Sequence, residues 1–136
     1  MIIKKLKILI FTMLISIMYS CSQGSFDKKE IIGKWKVIEF NANMKDLSPA
    51  IIRGAKEIAL SSSYEFKKDS TYSFNSSIEN FEGKWALENK NIIMTFSSEY
   101  EKNGVEKYEV VNLSNGGMTW KTEFESEKTE TVLSKK

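Results

Sequence analysis

Phe81-Glu82-Gly83-Lys84-Trp85-Ala86-Leu87-Glu88-Asn89-Lys90-Asn91-Ile92-Ile93-Met94-Thr95-Phe96 decides the fold. Phe81, Trp85 and Leu87 share one parity, while Glu82, Lys84 and Glu88 take the other. That is the period-2 pattern of a strand with one buried face. Asn89-Lys90-Asn91 then makes a tight turn, because Asn accepts positive φ better than most residues. Ile92, Met94 and Phe96 resume the alternation on a second strand. Two short strands and a tight turn make an antiparallel hairpin.

The same grammar extends in both directions. Downstream, Glu101 to Gly104 is a loop and Tyr108 to Leu113 a strand. Ser114-Asn115-Gly116-Gly117 is a strong hairpin signal. Met118, Trp120, Thr122 and Phe124 alternate along the next strand. Ser126-Glu127-Lys128 turns into a last one, Thr129 to Leu133. Upstream, Thr71 to Asn75 and Tyr64 to Phe66 are strands around a Lys67–Ser70 turn. Gly33 to Phe40 is the first strand, preceded by a helical turn from Lys29 to Gly33. Its alternation breaks, with Trp35 and Val37 on one face and Ile38 and Phe40 on the other, which a β-bulge would explain. Ser48-Pro49 opens the single helix, over 49–60, with Ser as N-cap and Pro at the first helical position. Ile51, Ile52, Ala55, Ile58 and Ala59 form its apolar side.

Eight evenly spaced strands with short connections predict an all-β, antiparallel up-and-down meander. Closing it into a barrel removes both sheet edges. An open or flattened sheet is the main competitor.

The N-terminal segment has a different character. Residues 1–7 are positively charged, and residues 8–18 form an apolar run too short for a stable membrane span. This is the layout of a signal peptide over residues 1–20. Met18-Tyr19-Ser20-Cys21 resembles a lipobox, with small Ser20 immediately before the only cysteine. The resemblance implies a diacylglyceryl thioether on Cys21, then N-acylation, for example with palmitate. Several acyl chains hold a domain on a membrane essentially permanently. An ordinary secretory signal or an uncleaved anchor is the alternative. Ser22 after the cysteine, in place of Asp, fits outer-membrane sorting in a Gram-negative cell envelope. Residues 21–30 are a lipidated polar tether, and residues 31–136 the barrel domain.

Removing residues 1–20 leaves 116, enough for one core. Those twenty hold three of the 20 basic side chains (Lys4, Lys5, Lys7) and none of the 18 acidic ones, so the remainder carries a formal net charge of −1. That balance gives no case for nucleic acid. The chain has no His, no nucleophile elbow, no phosphate loop and no metal-ligand spacing. The acid pairs Glu99/Glu101 and Glu123/Glu125 read as solvated strand faces. The expectation is therefore no enzyme, no cofactor and no metal.

Gly33-Lys34-Trp35 after a helical turn resembles the Gly-x-Trp signature of lipocalins. A second Gly-Lys-Trp at 83–85, Tyr64-Glu65-Phe66-Lys67-Lys68-Asp69, and Asn112-Leu113-Ser114 before a Met-x-Trp strand are similar to bacterial lipocalin-like lipoprotein domains. The resemblance covers about residues 28–133 and implies an eight-stranded barrel. Gly33 and Trp35 would plug one end, with an apolar pocket at the other. Lipocalins also place an Arg after the last strand, against that Trp. The one Arg here, Arg53, lies in the helix, which leaves Lys135 or Lys136 for the role.

Tyr72, Phe74, Trp85, Met94, Phe96 and Trp120 share the inner faces and are the candidate ligand-binding residues. They serve a small apolar or amphipathic ligand if the barrel is hollow, or pure packing if it is filled. A filled barrel would act as a protein-interaction or envelope-stress module, its protein partner unknown. The helix over 49–60 either covers a mouth that opens or caps the core permanently.

Overall fold

The computed structural model describes residues 26–43, 46–98, 101–124 and 127–136, without the side chains of 123 and 124. Cys21 and residues 1–20 lie outside the described residues, as do Glu99 and Glu125. The element order is α1 (Lys28–Ile31), β1 (Gly33–Asn43), α2 (Pro49–Leu60), β2 (Ser63–Phe66), β3 (Thr71–Asn75), β4 (Asn80–Glu88), β5 (Asn91–Phe96), β6 (Gly104–Ser114), β7 (Gly117–Phe124) and β8 (Glu127–Lys135).

Each strand pairs antiparallel with the next, and β8 returns to β1, from Trp35↔Lys135 to Asn43↔Lys128. The result is a closed eight-stranded up-and-down barrel with the helix between its first two strands, and every strand has two partners. The broken alternation in β1 is a bulge between Val37 and Glu39. It ejects Ile38 to 55% exposure and returns Phe40 to the inside. A second bulge, between Val110 and Asn112, does the same with Val111 in β6.

Turn chemistry agrees with the turns formed. Asn89 adopts φ 55° between β4 and β5, and Gly116 adopts φ 76° between β6 and β7. Ser48 caps α2 by accepting from the Ile51 amide at 3.4 Å. The helix ends where the Ser61 hydroxyl donates to the Ile58 carbonyl at 2.6 Å.

Several strand boundaries differ from the sequence expectation. β1 runs to Asn43, three residues past Phe40, because its pairing with β8 continues to Lys128. β6 begins at Gly104, four residues before Tyr108, because its pairing with β5 continues through Glu106↔Met94 to Gly104↔Phe96. β8 begins at Glu127 for the same reason, paired with Phe124. In each case ladder hydrogen bonding carries the strand past its apolar stretch.

The core fills one half of the barrel. Ile31, Trp35, Val37, Phe66, Trp85, Met94, Met118 and Leu133 are all buried there or beside it, with Tyr72, Ile92, Val110 and Trp120 further along. Both ends of the domain, α1 and the end of β8, lie at this packed end. The β1–α2–β2 connection and the 76–79 loop lie at the other, which we term the mouth. There the packing loosens: no residue of α2 is fully buried, and Ile51, placed on its apolar side by spacing, is 55% exposed.

Candidate functional site

Trp35 closes the barrel at the packed end, and a hollow of about 230 Å³ lies beside it, lined by Glu30, Leu113, Asn115 and Lys135. Trp35 is 1% exposed, and its Nε1 donates to the Ile31 carbonyl at 2.7 Å. Lys135, the last residue of β8, has its Nζ 5.3 Å from the centre of the Trp35 ring and supplies the cation against it. Gly33, at φ 141°, leaves the room this needs, since a Cβ there would come within 2.5 Å of Lys135 Cε. Trp85, of the second Gly-Lys-Trp, repeats the arrangement. Its Nε1 donates to the Lys67 carbonyl at 3.1 Å, and Lys28 Nζ sits 4.9 Å from its ring centre. Lys28 also donates to the Ser70 hydroxyl at 2.7 Å, which ties α1 across the barrel end.

The mouth half holds two hollows. One, of about 320 Å³, lies between α2 and the barrel. Ala55, Ile58 and Ala59 of the helix form its roof, over Phe40, Trp120 and Thr131. The other, of about 210 Å³, is bounded by Tyr72, Phe74, Phe81 and Phe96 with Glu79 and Glu106. Tyr64 and Tyr108 line both and stand between them. Tyr108 stacks on Trp120 with centroids 4.6 Å apart and planes 28° apart. Tyr64 meets the edge of Trp120 at 5.1 Å and Phe74 at 5.0 Å. A larger hollow, about 770 Å³, is an open charged groove outside the barrel wall, lined by Lys107, Glu109, Lys121 and Glu130. It is solvated, its Lys121–Glu130 pair is exposed at 3.6 Å, and it has no apolar enclosure. Their aromatic and aliphatic lining residues favour the two inner hollows.

Of the six candidates from sequence, Tyr72, Phe74 and Phe96 line the smaller hollow and Trp120 the larger. Trp85 and Met94 line neither and lie in the packed half. Sequence reasoning passed over Tyr64, Phe81, Tyr108, Glu79 and Glu106. Two positions back from Tyr108 on the same parity stands Glu106, so an acid at an inward position was the available signal.

Glu106 is the unusual charge. It accepts from the Tyr108 hydroxyl at 2.5 Å. Burial pushes its carboxyl above the ordinary carboxylate range, the Tyr108 bond pulls it down, and Glu101 and Glu79 push it up again. The hydroxyls of Tyr64 and Tyr72 are likewise raised, first by burial and then by Glu106. An acid whose folded pKa is raised contributes stability that is complete below the unfolded carboxylate value and is lost as pH climbs through the folded one. The wild-type thermal midpoint should thus carry a component that falls as pH rises above the ordinary glutamate value. Glu106→Gln should remove it and raise the midpoint at pH 7 relative to wild type. Parallel pH profiles for the two proteins would show that Glu106 is not the group concerned.

The comparisons with known proteins agree with this geometry. No protein of curated function matches the chain. A solved lipocalin-like protein from Bacteroides uniformis superposes with a TM-score of 0.50 at 16% identity, over 79% of this chain and 99% of that one. This shows a shared fold. Residues 31–120, from the end of α1 to the middle of β7, match the family described as the lipocalin-like domain. With the closed barrel, the Trp35 plug and its lysine in place, this chain belongs to the lipocalin-like domain family.

Proposed function

We propose that this protein is a lipid-anchored carrier in the bacterial cell envelope, taking a small apolar or amphipathic ligand into the mouth half of its barrel. The observation that carries the reading is the pair of hollows in the mouth half, one of them under α2, which share Tyr64 and Tyr108 as lining. The larger one falls at the lower end of the range for ligand pockets. The roof is shallowly seated, with no fully buried residue, which favours a helix that moves to admit a ligand.

A ligand in the larger hollow touches Trp120, so titration with a fluorescent fatty acid should change tryptophan emission. Trp120→Phe should abolish most of that change. An unchanged emission at saturating probe would count against the site.

The anchor of this proposal is Cys21, five residues before the first described residue. Those residues reach at most about 18 Å when extended. They enter the domain at its packed end, so an acylated Cys21 sets the Trp35 plug towards the membrane and the mouth away from it. Ser22 favours the outer membrane. Cys21→Ser should abolish acyl labelling and leave the precursor unprocessed. Normal maturation of that variant would refute lipid anchoring.

The alternative, a filled barrel that presents its surface to a protein partner, rests on the packed half. That half occupies the end nearest the proposed anchor, and the mouth is left for exchange.

A further inference from the structure

The smaller hollow has a chemistry that a purely apolar ligand would not use. Its wall is aromatic: Phe74 and Phe81 lie 4.8 Å apart, Phe81 and Phe96 lie 4.9 Å apart and stacked, and Tyr72 meets Phe81 edge-on at 6.4 Å. Into this wall are set the carboxylates of Glu79 and Glu106, with Glu101 at the solvent side. No basic side chain is among its described lining. Glu106 is satisfied by Tyr108, but Glu79 Oε1 is wholly buried and has no hydrogen-bond partner among the described residues. A buried acceptor without a donor costs free energy, and the cost is recovered when something brings the donor.

We propose that this subsite binds the protonated amine of a small organic cation. This rests on the carrier reading above and specifies the ligand's polar end. An ammonium group supplies the donor that Glu79 Oε1 lacks and a charge opposite to that of the acids. The ring faces around it are electron-rich and attract a cation, most strongly where water is excluded. A fatty acid, which would place its own carboxylate beside Glu79 and Glu106, is disfavoured here by charge repulsion. A metal ion fits less well, because among the described residues no three carboxylates converge on one metal-sized point. About 210 Å³ is the space of roughly seven waters, at about 30 Å³ each, which suits an amine with a ring or a short alkyl body. Any longer apolar tail would pass Tyr64 and Tyr108 into the hollow under α2.

The test compares 2-phenylethylamine with 2-phenylethanol and 3-phenylpropionate, by calorimetry on the full-length protein in phosphatidylcholine nanodiscs. Empty nanodiscs serve as the blank. The amine should bind at least about tenfold more tightly than the alcohol, and the propionate most weakly. Glu79→Gln, which preserves shape, should reduce the amine-to-alcohol ratio to near one. The wild-type comparison stands even if that variant folds poorly. Equal or weaker binding of the amine, or a ratio that survives Glu79→Gln, would overturn the amine subsite while leaving the carrier reading in place. No binding of any of the three, joined by no response to fluorescent fatty acid, would overturn both.

Discussion

Replacing Trp35 with Ala should lower the unfolding free energy by about 3–5 kcal/mol, as for large aromatic truncations in cores. Trp35 is 1% exposed and fills the barrel base. The substitution removes that volume, strands the Ile31 carbonyl that accepts from Nε1 and leaves Lys135 without the ring beneath it. Against a total of roughly 5–15 kcal/mol for an ordinary domain, this is a large fraction. The components separate by further substitution. Lys135→Ala removes an exposed cation–π contact, worth about 0.5–1 kcal/mol, and a long 3.5 Å hydrogen bond from its Nζ to the Glu30 carbonyl. Trp35→Phe should fall between the two. Urea unfolding of the three variants measures this, and a loss below about 1 kcal/mol for Trp35→Ala would remove the plug from the account.

The second large effect is expected at Gly83. A Cβ there would come within 2.2 Å of the Thr95 carbonyl oxygen on β5 and 2.7 Å of Tyr72 Cε1. The first contact is with backbone, which a side-chain rotation cannot relieve. The β4–β5 ladder must part to relieve it, and Tyr72 must shift as well. Gly83→Ala should therefore cost about 1–3 kcal/mol, the range for overpacking. Gly54 is the control. Nothing lies within 4 Å of a Cβ built there, and the position is helical. Gly54→Ala should stabilise by up to about 1 kcal/mol through helix propensity and a less flexible unfolded chain. Thermal denaturation distinguishes the signs, and a neutral Gly83→Ala would mean that the sheet adapts where the contact implies it cannot.

The barrel was legible because its strands speak in period 2. Phe81, Trp85 and Leu87 against Glu82, Lys84 and Glu88 show which face is inside before any pairing is known. Even the fault in β1 was informative, since the Val37-to-Phe40 slip of parity is what a bulge looks like in sequence. The lysine on Trp35 was narrowed to two residues because the chain has one Arg and it lies elsewhere.

The site was less legible, for a physical reason. Aromatic residues at inward positions either fill a core or line a hollow, and the difference is set by what faces them across the barrel. Trp85 and Trp120 have equivalent patterns, yet Trp85 is met by Phe66 at 5.2 Å and Lys28 above, while Trp120 has a hollow under α2 beside it. Glu106 was missed because its strand was recognised by apolar residues, and a charge on the inward parity ended the pattern early. Ile51 erred in the other direction. Helical spacing puts it beside Ile52 and Ala55, but α2 overhangs the mouth at that end and leaves it in solvent.

The central claim is that the mouth half holds a ligand. Native mass spectrometry tests it most directly, on protein released from its own membranes and never refolded. The account predicts an adduct of defined mass that is lost on denaturation. A bare protein mass, with no uptake of fluorescent fatty acid or phenylethylamine, would contradict it and leave a filled barrel whose surface is its function.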